Sequence, residues 1–164
     1  MKKRIIIILS IIFIIFSVII IIERDLIFKT SNVLFYLDDK YYNKGVSIEI
    51  SSLEFEEKIK NKESFALFIH QPVCSKSYEF NKIQSLYQQE NNMVFNKILF
   101  ENMKNTNLYE TIKYYPSFAI FKDGKLIDYL DAESNDDILK YKDYDEFSKW
   151  FNSYVRSSNE EEKK

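Results

Sequence analysis

Apolar and polar positions follow two different periods along this chain, and each change of period marks an element. Val46-Ser47-Ile48-Glu49-Ile50 alternates residue by residue, the pattern of a half-buried strand. Ser51 and Glu54 follow at capping-box spacing and open a helix to about Lys60, with Phe55 and Ile59 on one face. Residues 65–69 are apolar without interruption, as a central strand covered on both faces requires. Beyond Gln71-Pro72-Val73-Cys74-Ser75-Lys76-Ser77 the period becomes helical, and Phe80, Ile83 and Tyr87 share a face over residues 78–91. Residues 93–100 read as another strand, and residues 105–114 as a short helix with Leu108 and Ile112 paired at i,i+4.

Two further apolar stretches, residues 117–121 and 125–130, flank Lys122-Asp123-Gly124. An Asp-Gly pair between strands predicts a tight hairpin, because glycine supplies the positive φ that the turn needs. Asp143 with Glu146 caps a last helix whose inner face is Phe147, Trp150, Phe151, Tyr154 and Val155. The order is strand, helix, strand, helix, strand, helix, hairpin, helix, which predicts an α/β layered sheet over residues 46–156. Residues 23–45 form a connecting segment, in which Val33-Leu34-Phe35-Tyr36-Leu37 either adds a strand or packs on the domain. Residues 157–164 are a charged tail, expected to fray.

The N-terminus carries a different pattern. Residues 5–22 are apolar except for Ser10 and Ser17, and at about 1.5 Å per residue they reach roughly 27 Å, enough to cross a bilayer's hydrocarbon core. Lys2, Lys3 and Arg4 precede the run, so its basic end stays in the cytoplasm and the rest of the chain lies outside. The length of the run, and the lack of Ala or Gly before Gly45, favour an uncleaved signal anchor over a cleaved signal peptide. Residues 1–22 are therefore expected to be a single transmembrane helix holding an extracytoplasmic domain in the cell membrane.

Charge changes the picture only by exclusion. The 164 residues carry 23 Lys and Arg against 25 Asp and Glu, with no basic stripe, which argues against nucleic acid as a partner. His70 is the only histidine and Cys74 the only cysteine, too few for a metal site of adequate ligand count. The acidic residues Asp128, Asp131, Glu133, Asp136 and Asp137 lack the spacing and glycine of a calcium loop and read as a solvated loop. No phosphate-binding glycine loop is present, and no cofactor is implied.

Candidate chemistry rests on Cys74, at the passage from strand to helix. Unpaired N–H groups and the dipole of a helix N-terminus favour a thiolate there, and Lys76 adds positive charge nearby. Burial by Pro72 and Val73 is expected to act the other way, since desolvation raises a thiol's pKa. Three positions after Cys74 stands Ser77, which can hydrogen-bond to the thiol but cannot release a mixed disulfide as a second cysteine would. Cys74 thus has three open fates: mixed disulfides resolved by an outside thiol, shuffling of a partner's disulfides, or no chemistry, as a small buried hydrophobe. His70 lies near enough in sequence to tune the thiol, but a structural histidine is the expected role.

The element order, with Cys74 after the second strand and Pro116 leading the hairpin, resembles the thioredoxin fold. Tyr115-Pro116-Ser117-Phe118-Ala119-Ile120-Phe121-Lys122-Asp123-Gly124 looks like that family's cis-proline segment entering its hairpin. Ile69-His70-Gln71-Pro72-Val73-Cys74 looks most like the membrane-anchored bacteriocin transport accessory proteins, which keep a proline two residues before the first cysteine. The resemblance implies a mixed sheet flanked by helices, Cys74 as nucleophile, and a cis Tyr115–Pro116 bond facing it. It also implies a substrate platform formed by Pro72, Pro116 and the main chain of Tyr115. The implied client is a secreted peptide or envelope protein, and the implied role is thiol-disulfide exchange or an accessory part in peptide export. Ser77 in place of the resolving cysteine, and Val73 where a tryptophan is common, depart from the family pattern. They leave open an inactive, peptide-binding module.

Overall fold

The computed structural model describes residues 34–157, and the expected membrane anchor lies outside them. Five strands, β1 (Ser47–Glu49), β2 (Phe65–His70), β3 (Phe95–Leu99), β4 (Ser117–Lys122) and β5 (Lys125–Leu130), form one sheet in the order β1-β3-β2-β4-β5. β3 runs parallel to both β1 and β2, while β4 is antiparallel to β2 and to β5. β2 therefore sits in the middle, as its unbroken apolar run predicts. Helices α1 (Ser52–Lys60), α2 (Ser75–Glu90), α3 (Phe100–Met103) and α4 (Tyr144–Asn152) surround the sheet.

Strand alternation sorts the aromatic side chains between two faces. On one face Phe68, Phe95 and Phe118 meet Phe80 and Tyr87 of α2 and Phe147 and Phe151 of α4. On the other, Phe65 and Phe121 stack in parallel and receive Phe55 of α1 edge-on. Burial of such rings is the largest favourable contribution to a fold without a disulfide. The helix starts follow their caps. Ser51 and Glu54 form the capping box at α1, and Asp143 accepts from the Glu146 N–H at α4.

Some expectations need adjustment. β1 is shorter than its alternating pattern and lies fully exposed at the sheet edge, with Ile48 on the surface and Ile50 buried beyond its end. Residues 105–114 do not form one helix: α3 ends at Met103, and a 3-10 turn follows over Asn107–Glu110. Thr106 is the reason, since its hydroxyl donates to the Met103 carbonyl and accepts from the Leu108 N–H, a local bonding pattern that starts a new turn. Leu108 and Ile112 are nevertheless both buried. Residues 34–45 are packed onto the domain rather than running free. Phe35 bridges to Val155, and Leu37, Tyr41 and Tyr42 join the core.

The Asp123–Gly124 turn has positive φ at both residues (51° and 72°), the geometry of a two-residue hairpin. Gly124 is also confined by α1, since a Cβ there would stand 2.4 Å from the Ile59 carbonyl oxygen.

Candidate functional site

The sheet register brings the two halves of the site to one end. Ile69 of β2 pairs with Ser117 of β4, so the chain leaving β2 toward Cys74 and the chain entering β4 from Pro116 lie side by side. The Tyr115–Pro116 peptide bond is cis. Pro116 itself is buried, while Tyr115 is 37% exposed and its ring rests on Phe100 at 4.7 Å between centroids. Among the described residues neither the main-chain N–H nor the C=O of Tyr115 has a hydrogen-bond partner. An exposed, unpaired peptide group is the type of edge to which an extended segment adds.

Cys74 is the N-cap residue of α2, in extended conformation, and it is partly exposed. A turn closed by the Cys74 N–H on the Gln71 carbonyl (3.2 Å) sets its position. The burial expected from Pro72 and Val73 is absent: Pro72 is exposed and Val73 is 98% exposed, because the turn points both outward. Pro72 is thus at the surface beside the thiol, and Val73 offers it an apolar neighbour rather than a cover.

Desolvation still pushes the Cys74 thiol up, and this is the largest single influence on it. It is outweighed by the Ser77 N–H and hydroxyl, the Lys76 N–H and the Lys76 charge, which together hold the thiol below its ordinary value. Ser77 is buried, and its oxygen accepts from the Gln71 N–H at 3.3 Å. Ser77 therefore ties the approach to the thiol and stabilises the anion. Lys76 contributes less, being exposed and drawn toward Glu133 at 3.9 Å.

The other polar residues near the site are engaged elsewhere. The His70 Nε2 lies 3.0 and 3.1 Å from the two carboxylate oxygens of Glu49, and its ring stacks on Phe68. That is a structural histidine at a strand end. β2 carries no acidic side chain to exchange a proton with the thiol.

One contributor is not evident from the sequence. The connection between β5 and α4, read as a solvated loop, is held in a fixed path by its own side chains. Asp137 accepts from the Asp131 N–H at 3.0 Å, Asp131 accepts from the Glu133 N–H at 2.9 Å, and Lys140 pairs with Asp137 at 2.6 Å. The Tyr141 hydroxyl then lies 2.8 Å from the Pro116 carbonyl oxygen and 2.6 Å from that of Leu130, sharing its proton between them. Burial, with help from Asp137 and Asp131, raises the Tyr141 pKa strongly, so the group remains a neutral donor. Between this connection and α2 runs a groove of about 650 Å³ that reaches Ser75, Lys76 and Pro116.

No protein-family model matches this chain, and no curated protein sequence does. Solved structures do. A mutant thioredoxin from Halobacterium salinarum NRC-1 superposes with a TM-score of 0.53 at 10% identity, over 70% of this chain and 95% of that one. The fold is thioredoxin-like. Oxidised thioredoxin from Plasmodium falciparum gives a TM-score of 0.49 at 17% identity, over 65% of this chain and 98% of that one. A chain of the complex of ferredoxin:thioredoxin reductase with thioredoxin f2 gives 0.46 at 24% identity, over 59% and 92%. At 10% identity the Halobacterium likeness shows the fold alone, and the chemistry must be argued from the residues.

Proposed function

We propose that this protein is a membrane-anchored, extracytoplasmic thiol protein that captures a disulfide-bearing secreted peptide or envelope protein through Cys74. The observation that carries the reading is the pairing of a stabilised thiol with an unpaired backbone segment at the same end of the sheet. The Ser77 N–H and hydroxyl favour the Cys74 thiolate, and the Tyr115 backbone, open to an extended segment, lies at the same end of the sheet. The apolar run of residues 5–22 behind Lys2, Lys3 and Arg4 supports the membrane address. The Pro72–Cys74 spacing supports an accessory role in export or maturation of a secreted peptide.

The step is an exchange. The Cys74 thiolate attacks one sulfur of the client disulfide, forms the Cys74–client disulfide, and releases the client's other sulfur as a thiolate. Tyr115 and Pro116 hold the client strand, Pro72 borders it, and Lys76 adds charge that favours the thiolate. Ser77 has no thiol to displace the client, so release requires an external thiol or the client's own.

The second reading, a peptide-binding module without turnover, is favoured by the absence of an acid on β2 and of a second cysteine. The experiment that separates them is capture in host cells. Wild type should yield a disulfide-linked partner on non-reducing gels that Cys74→Ser does not, and the mutant should reproduce the deletion phenotype. A mutant indistinguishable from wild type in both respects leaves only the binding module.

A further inference from the structure

Whichever of those two readings holds, the groove beside the site has its own chemistry. One wall is the face of α2 that carries Lys76, Glu79, Lys82 and Ile83, residues three to four apart along a helix. The opposite wall is the β5–α4 connection, with Ala132, Ile138 and Lys142. Ile83 is partly buried against the core and Ile138 is 39% exposed, so each wall carries an apolar side chain. A connection of this length without regular structure is uncommon unless it serves a site. Here Tyr141 holds it at a fixed distance from Pro116.

Charge at the groove is unbalanced. Glu79 is paired with Lys82 at 2.9 Å, and Glu133 faces Lys76 at 3.9 Å. Lys142 is exposed and, among the described residues, has no carboxylate partner. The groove therefore carries an apolar side chain on each wall and, at Lys142, one cation without a carboxylate partner among the described residues. From Ser75 to Lys82 the helical wall is about 10 Å long, room for roughly three residues of extended chain.

We propose that this groove binds an extended peptide segment that places an apolar side chain on Ile83 and Ile138 and a neighbouring carboxylate at Lys142. This rests on the peptide-binding reading shared by both versions of the proposed function, and names what the client must carry: an apolar residue next to an acid. Because the groove touches Ser75, Lys76 and Pro116, a segment seated there would run directly up to Cys74 and the Tyr115 platform.

The test uses the full chain in lipid nanodiscs and three fluorescein-labelled peptides without cysteine, so that binding is independent of thiol exchange. They are Gly-Ser-Leu-Asp-Gly-Ser, the same peptide with Lys for Asp, and the same peptide with Ser for Leu. Fluorescence anisotropy should rank the Leu-Asp peptide about fivefold tighter than the Leu-Lys peptide, the size of one exposed ion pair. Lys142→Glu should reverse that order, and Ile138→Ser should weaken the Leu-Asp and Leu-Lys peptides alike. Ile138 and Lys142 are both at the surface, so circular dichroism should stay unchanged. Equal affinity for Asp and Lys peptides, an order unaffected by Lys142→Glu, or no binding of any of the three overturns the proposal. Failure of the wild type to capture a disulfide-linked partner, with this ranking intact, would overturn the thiol chemistry and leave the groove proposal standing.

Discussion

The Tyr141 hydroxyl lies 2.8 Å from the carbonyl oxygen of Pro116, so the connection between β5 and α4 is tied to the residue that leads into β4. The same hydroxyl reaches the Leu130 carbonyl at 2.6 Å. One side chain thus fixes the entry to β4, the end of β5 and the path of the loop between β5 and α4.

Tyr141→Phe keeps the ring on Phe80 but leaves two carbonyls without this donor. The expected loss is about 1–3 kcal/mol, the cost of an unsatisfied buried polar group. Denaturant unfolding should show a lower midpoint with an unchanged slope. An unchanged midpoint would mean that the bond contributes nothing to holding the connection.

The thiol of Cys74 should titrate below an unperturbed cysteine, because the Ser77 N–H and hydroxyl and the Lys76 N–H and charge favour the anion. Iodoacetamide reaction rates against pH should show a midpoint below that of free cysteine. Ser77→Ala should move it up by removing the hydroxyl, and Lys76→Gln should move it up by less. The sign for stability follows from the lowered value. Between the folded and unfolded thiol pKa values the unfolded chain holds the proton, so stability rises with pH through that window. It is lost as pH falls through the folded value.

Gly124→Ala should be strongly destabilising for two reasons that act together. The residue has φ of +72°, and the new Cβ would meet the Ile59 carbonyl oxygen at 2.4 Å. A loss of about 2–3 kcal/mol in thermal or denaturant unfolding is expected. A change below about 0.5 kcal/mol would show that α1 is free to move away from the turn.

The membrane address is open to a direct test. With the cell wall permeabilised and the membrane intact, added protease should digest the domain of wild-type cells. Protection until lysis would place the domain in the cytoplasm and contradict the basic-inside argument from Lys2, Lys3 and Arg4.

Much of the fold was legible because its elements are locally consistent. The capping box at Ser51 and Glu54, the unbroken apolar run of β2 and the Asp123–Gly124 turn each specify one local geometry. The same local reading fails around Thr106, where a side-chain hydroxyl competes with the helix for backbone partners. It also reads the outward turn at Pro72 and Val73 as cover for the thiol, because which way a turn faces depends on tertiary packing. Cys74, Ser77 and Pro116 were visible as types at known separations. Ser77 was legible as a missing cysteine whose hydroxyl can bond to the thiol, while its N–H toward the thiol and its bond from the Gln71 N–H depend on the fold of the turn. Tyr141 carried no sequence signal beyond an aromatic residue in a mostly polar stretch, since its partners are carbonyls 11 and 25 residues away.

Oxidised glutathione probes the mixed disulfide proposed at Cys74, which Ser77 cannot resolve, without any client peptide. The thiolate should displace glutathione thiolate and leave one glutathione disulfide-bonded to Cys74. Intact-mass spectrometry of the purified full chain at neutral pH should show this single adduct accumulating and persisting until an external thiol is added. Ser77→Cys should clear the adduct by forming an internal disulfide and releasing the glutathione. No adduct on the wild type, or an adduct that it discharges without added thiol, would exclude a mixed disulfide held at Cys74.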